Sequence, residues 1–266
     1  MKPWQAFPTD AALAVHTVFT DIDDTLTTQG RLLPAAYEAM ARLQQAGLRV
    51  IPVTGRPAGW CDMIARTWPV DGVIGENGAF YLWQDSVSRR LRSRHWSSDT
   101  DLPALAKRLA AVRDRVLQEV PGCGVASDQF YRWYDLAIDF CEDVDRLPDS
   151  AVDRIVAIMK DQGMTVKVSS IHVNAWWGDW DKLQMARAML AERFGLDWLR
   201  EAPHILFVGD SPNDAPMFGA LPYSVGVANV GDALERMEHR PKWVTTARAG
   251  AGFVEFVQHL LALRQA

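Results

Sequence analysis

The sequence predicts an α/β protein: a doubly wound parallel sheet interrupted by an inserted α+β module. Three observations predict it. Short apolar runs alternate with amphipathic helical stretches, the order that gives parallel strands joined by right-handed crossovers. Two such runs stop abruptly in acids: Thr17-Val18-Phe19 before Asp21, Asp23 and Asp24, and His204-Ile205-Leu206-Phe207-Val208 before Asp210 and Asp214. Between residues 85 and 177 the texture changes, and a helix-strand-strand order occurs twice.

Residues 34–46 follow the first acidic stretch as a helix, with Tyr37, Met40 and Leu43 at helical spacing, Pro34 suited to its first turn and Gly47 to its C-terminal cap. Residues 48–53 read as a strand ending in Thr54-Gly55-Arg56-Pro57, and residues 58–67 as a helix. Gly72 to Trp83 reads as two short strands about the polar turn Glu76-Asn77-Gly78. Residues 86–98, rich in Arg and Ser, read as an exposed connection. The module then offers a helix over 102–120, strands near 123–130 and 134–141, a helix over 149–162, and strands at 165–168 and 171–176. The first texture returns with a helix over 183–194 and the strand 204–208. After these come a short helix over 213–219, a strand at 223–227, a helical turn over 231–237, a strand at 243–245 and a closing helix over 253–263. Residues 1–84 and 178–266 are therefore expected to form one core, and residues 85–177 an inserted domain.

Composition narrows the class. With 266 residues, 48% hydrophobic and 23% charged, the chain can bury a sizeable core. A net charge of −5 supplies no field that would attract nucleic acid or an anionic membrane. The three cysteines, Cys61, Cys123 and Cys141, lack zinc-site spacing and read as free thiols of a reducing compartment. Neither an apolar signal core nor a window of about eighteen apolar residues occurs, so a cytoplasmic location is expected. Oligomeric state has no signature here.

The polar residues at the strand ends carry the chemistry. Carboxylates at Asp21 and Asp210, with a nearby backbone carbonyl, suit Mg²⁺, which prefers few protein oxygens, retained waters and a phosphate oxygen. A carboxylate is a competent nucleophile toward phosphorus. Asp23, two residues on, is placed to protonate a leaving oxygen and then deprotonate water. Thr54 offers a hydroxyl to a phosphoryl oxygen, and Lys182 a charge that offsets carboxylate repulsion. Taken singly, each is usually a turn, a cap or a solvated lysine; their joint occurrence in this order is what points to a site.

The chain resembles the haloacid dehalogenase (HAD) superfamily phosphatases. Asp21-Ile22-Asp23-Asp24-Thr25 matches the first motif, Thr54-Gly55 lies in the second, Lys182 matches the third, and Gly209-Asp210-Ser211-Pro212-Asn213-Asp214 the fourth. The resemblance implies Asp21 as nucleophile and Asp23 as acid/base. It also implies Mg²⁺ held by Asp21, the Asp23 main-chain carbonyl and Asp210, with Asn213 or Asp214 supporting the metal shell. An insert between the second and third motifs is similar to a type C2 cap, and its doubled helix-strand-strand order to subtype B of the Cof-like and sugar-phosphate phosphatases. Glu76-Asn77-Gly78 also resembles that branch, although many members carry Gly where this chain has Asp24. The expected substrate is a small phosphorylated metabolite, a sugar or polyol phosphate, bound between cap and core. Thr54, Gly55, Arg56, Asn77, Asn174 and Lys182 are candidate substrate contacts. Trp176, Trp177 and Trp180 either stack on a sugar or pack the hinge, and His172 reads as structural. A phosphomutase using the same aspartyl-phosphate, and a non-catalytic metabolite-binding module, remain alternatives.

Overall fold

The computed structural model describes residues 1–97 and 99–265; Ser98 and Ala266, the ends of two stretches named above, lie outside the described residues. Its centre is a six-stranded, wholly parallel sheet in the order Lys2–Pro3, Trp243–Val244, Tyr223–Gly226, Ile205–Gly209, Thr17–Thr20, Arg49–Pro52. From Thr17–Thr20 the chain winds outward to Arg49–Pro52, whereas from Ile205–Gly209 it winds the other way. The order therefore reverses between the two strands that end in acids, and ligands of open α/β sheets bind at such a switch point.

Both faces of this sheet are covered, which is why its strands read as apolar runs rather than alternations. Val18, Val50, Leu206 and Val208 join one buried cluster, with the helices Pro34–Gln45 and Ala249–Leu263 over it. Phe19, Ile51 and Phe207 join the other, under Lys182–Phe194 and Ala215–Ala220.

The inserted region carries an antiparallel four-stranded sheet, Thr165–Val168, His172–Trp176, Leu136–Asp139, Gly124–Val125. Helices Leu102–Glu119 and Asp149–Asp161 bury Leu105, Leu109, Val112 and Val116, and Val152, Ile155, Ile158 and Met159. These are the faces their 3.6-residue periodicity marks.

Two local readings change, and one element had no sequence signal. The stretch expected as an exposed connection contains the strand Leu91–His95, paired antiparallel with Phe80–Gln84 in a sheet that also holds Val73–Gly75. Its Arg and Ser residues disguise it, because an edge strand needs no apolar face on its open side. The strand expected near 123–130 shrinks to Gly124–Val125, followed by a 3₁₀ turn at Gln129–Tyr131. At the N-terminus, Lys2–Pro3 forms the sheet's edge and Trp4 is buried, its indole N–H donating to the Phe256 carbonyl at 3.2 Å; no periodicity announces so short a strand.

Candidate active site

Asp21 leaves the Thr17–Thr20 strand with its amide donating to the Val208 carbonyl at 2.8 Å, so the two acidic loops start side by side. Lys182 opens the Lys182–Phe194 helix, whose N-cap, Asp181, accepts from the Gln184 amide at 2.8 Å. That helix start is pressed onto the Glu76-Asn77-Gly78 turn: a Cβ on Gly78, where φ is +110°, would lie 2.2 Å from the Asp181 carbonyl oxygen. The close approach drives the Lys182 ammonium into the core, where Nζ donates to Asp21 Oδ1 at 2.6 Å, Asp214 Oδ1 at 2.7 Å and Asn213 Oδ1 at 3.3 Å. Asp214 Oδ2 accepts the Asp210 and Ser211 amides at 3.0 and 3.1 Å. Both of its oxygens are thus engaged, and Asp214 braces the loop. Gly209 makes room for it, since a Cβ there would meet Asp214 Oδ2 at 2.5 Å.

Asp210 is held from two other elements. Thr25 Oγ1 donates to its Oδ1 at 3.3 Å, and Asn229 Nδ2 donates to its Oδ2 at 2.9 Å. Asn229 Nδ2 also reaches the Asp24 carbonyl at 2.9 Å. Asp24 itself sits at φ +55°, a left-handed conformation that glycine adopts freely and Asp tolerates.

One oxygen from each of Asp21, Asp210 and Asp214 lies within 4.8 Å of the others. All three residues are buried, against the single ammonium of Lys182. Burial pushes the Asp21 carboxyl up, to about 8, with Asp214 and Asp23 adding repulsion and Lys182 opposing it. Asp210 is pushed up by the same burial and by Asp21, Asp214 and Asp24. A cluster of hard oxygen donors with surplus negative charge is what a divalent cation such as Mg²⁺ satisfies, so the donor set fits a metal ion.

Thr54 is fully buried, its Oγ1 accepting the Arg56 amide at 3.0 Å. Arg56 crosses from there to Asp23, with Nε 3.0 Å from both carboxylate oxygens and Nη2 2.8 Å from Oδ1. The same guanidinium meets two acids of the inserted region, Asp128 at 3.2 Å and Glu142 at 2.6 Å. Its burial disfavours the charge, but Asp23 and Glu142 outweigh this and hold its pKa above the usual range. Gly55 lies under Asn77 and Asn174, and its carbonyl accepts from Arg132 at 2.7 Å. Asn77, at φ +54°, accepts from Asn213 at 3.2 Å, and its buried Nδ2 has no partner among the described residues. Asn174 donates to Asp135 at 2.8 Å.

The sequence pattern of haloacid dehalogenase-like hydrolases matches residues 18–103. A phosphoglycolate phosphatase of Methanoculleus marisnigri is 30% identical over 254 residues, covering 92% of this chain and 96% of that protein. The chain belongs to the haloacid dehalogenase-like hydrolases. Among solved structures, a Thermoplasma acidophilum protein matches with a TM-score of 0.69 and 20% identity, over 93% of this chain and 98% of its own. A HAD subclass IIB sugar phosphatase matches with a TM-score of 0.61 and 15% identity, over 94% and 100%. The fold is thus that of the capped members of the family, and the chain is a phosphoric monoester hydrolase.

This hydrolase brings Asp21, Asp23, Thr54, Lys182, Asp210, Asn213 and Asp214 to one end of its central sheet. A gap of about 10 Å³ between the two parts is lined by Asp21, Asp23, Arg56, Ser170, His172 and Asn174 among others. The tryptophans are elsewhere. Trp176 and Trp180 are buried and stack at 5.9 Å, while Trp177 lies against Arg108 and donates to the Gln162 carbonyl at 2.9 Å. They pack the junction and the inserted region. His172 is buried, 2.9 Å from Glu142, and so orders that acid.

Sequence reasoning missed Asn229, and it named Glu76 only as part of the Glu76-Asn77-Gly78 turn. Asn229 sits just beyond the Tyr223–Gly226 strand, and a polar residue beyond the carboxyl end of a parallel strand is the signal that marks it. Glu76 is fully buried and accepts four amides: Ala58 at 3.2 Å, Trp133 at 2.8 Å, Tyr134 at 2.6 Å and Asp135 at 3.2 Å. Burial and then Asp135 push its carboxyl up, to about 8, against Arg132 and the amides of Trp133 and Tyr134. Nothing local in the sequence shows that these amides converge on it.

Proposed function

We propose that this hydrolase is a Mg²⁺-dependent phosphatase that passes the phosphoryl group of a small metabolite through Asp21 to water. The observation that carries the reading is the buried Asp21 carboxylate with Lys182 Nζ at 2.6 Å and Asp23 on the same loop, at the sheet's switch point. The Asp21 oxygen attacks phosphorus, the bond to the leaving alcohol breaks, and Asp23 gives that oxygen its proton. Asp23 then takes a proton from water, whose oxygen displaces Asp21 and releases phosphate. Lys182 holds the nucleophile's charge in place, and Thr54 and the neighbouring Gly55 line the phosphoryl side. Asp21, the Asp23 carbonyl and Asp210 are the residues that would hold Mg²⁺, which when bound neutralises phosphoryl oxygens as charge develops on them.

The division into a core of 1–84 with 178–266 and a cap of 85–177 belongs to this proposal, with Leu91–His95 as the ribbon joining them. A gap of about 10 Å³ holds about one water and no phosphoryl group. Room for a phosphoryl group over Asp21 comes from the cap lifting from Arg56, which breaks its contacts with Asp128 and Glu142. The guanidinium freed from the cap is then a cation available to the phosphoryl group.

The buried tryptophans give no platform for a sugar ring. Phosphoglycolate, the substrate in the names of the curated relatives, therefore heads the screen, ahead of sugar and polyol phosphates. The test is phosphate release from an aryl phosphate with Mg²⁺ present. Asp21→Asn is expected to abolish it, and substantial turnover by that variant would sink the nucleophile assignment. Product analysis giving an isomerised phosphate ester without free phosphate would make the protein a mutase instead.

A further inference from the structure

Two larger cavities, of about 680 and 390 Å³, open beside the catalytic carboxylates. They share four lining residues: Asp24, Gln29, Arg146 and Ser170. Ser170, on the hairpin between the Thr165–Val168 and His172–Trp176 strands, also lines the small gap over Asp21 and Asp23. It is the point where all three spaces meet. Its Oγ is buried and forms no well-aligned hydrogen bond among the described residues.

Four arginines line the two larger cavities, and their pairing separates them. Arg56 is held by Asp23, Asp128 and Glu142; Arg236 by Asp149 and Asp153; and Arg248 by Asp232. Arg146 has neither an ion pair nor a hydrogen bond among the described residues; its guanidinium lies 5.9 Å from the Phe140 ring. Asp24, the acid that shares its cavities, is not within ion-pair distance of it. A paired arginine must give up its partner to bind an anion, whereas Arg146 has none to give up.

We propose that Arg146, with the Ser170 hydroxyl, receives a carboxylate on the leaving group, so that the preferred substrate is a short phosphorylated hydroxy acid rather than a neutral sugar or polyol phosphate. This rests on the phosphatase reading above and assigns its specificity to two cap residues. With the phosphoryl group at Asp21, the leaving oxygen faces Asp23, and the rest of a small leaving group extends past Ser170 toward Arg146. A guanidinium and a hydroxyl together match the two oxygens of a carboxylate. Asp24 on the same wall disfavours an anion, and the Arg146 charge has to outweigh it.

The test compares kcat/KM for 2-phosphoglycolate with kcat/KM for 2-hydroxyethyl phosphate, a neutral-ended ester of similar length. Wild type should favour the carboxylate. Arg146→Met should lower the selectivity ratio about 30–100-fold, which at about 1.4 kcal/mol per tenfold is about 2–3 kcal/mol. Most of the loss should fall in KM for phosphoglycolate. Arg146→Lys, which keeps the charge, should hold the ratio to within about tenfold, and Ser170→Ala should lower it about 5–10-fold. An unchanged ratio in Arg146→Met, whether both rates fall together or neither does, overturns the proposal, as does a wild type that prefers the neutral ester; either result leaves the phosphatase reading standing. A folded wild type that releases phosphate from neither ester nor from an aryl phosphate overturns that reading itself.

Discussion

Replacing Glu76 by Gln tests how the cap is fastened. The change is isosteric, so no cavity forms; what changes is acceptor capacity. The carboxylate's two oxygens take four backbone N–H groups, from Ala58 in the core and from Trp133, Tyr134 and Asp135 in the inserted region. A Gln side chain has one acceptor oxygen and an NH₂ that must face the other donors. At least two buried N–H groups lose their partner, at about 1–3 kcal/mol each, or about 2–6 kcal/mol together. In a chain of this size each kcal/mol lowers Tm by about 2–4 °C, so Glu76→Gln should melt at least about 4 °C below wild type at pH 7. Thermal unfolding followed by circular dichroism measures this directly. The opposing physics is explicit, because burial and Asp135 push the Glu76 carboxyl up to about 8. A carboxyl protonated at pH 7 would be mimicked by Gln. Wild type would then lose stability as pH rises from about 4.5 to 8, and the pH-independent Glu76→Gln would melt at or above it at pH 7. That pattern would refute the argument that four converging donors keep Glu76 ionised.

Two further outcomes follow from the site. Asn229→Ala removes the donor to Asp210 Oδ2, and under the proposed role of Asp210 in holding Mg²⁺ the Mg²⁺ concentration for half-maximal activity should rise about 10–100-fold; an unchanged metal dependence with a lower kcat would assign Asn229 to loop folding instead. Burial works against the Glu142 charge, but His172 and Arg56 outweigh it and hold its pKa down to about 2, against 4.5 for the free side chain. The contact therefore contributes stability above about pH 4.5 that is lost as pH falls toward 2, and Glu142→Gln should flatten Tm against pH within that window; an unaltered acid slope would count against the Glu142–Arg56–His172 contact.

The sequence by itself determined the central sheet, because its strands are buried on both faces and read as apolar runs between amphipathic helices. It also determined the acids at Asp21 and Asp210, because strand ends at a switch point concentrate the polar residues. Lys182 was legible only as a member of that ordered set; its pressing onto the Gly78 turn, and so its burial between Asp21 and Asp214, is tertiary. The Leu91–His95 strand was hidden by its polar composition, which an edge position permits. What only the tertiary structure decided lies at the junction of cap and core. There Arg56, Glu76, Asp128, Glu142, Arg146 and Ser170 come from distant segments. Hydrophobic periodicity records which face of an element is buried, but not which polar groups of separate elements converge. The same holds for the tryptophans before Lys182: composition left sugar stacking and hinge packing both open, and packing placed two of them inside the junction and the third against Arg108.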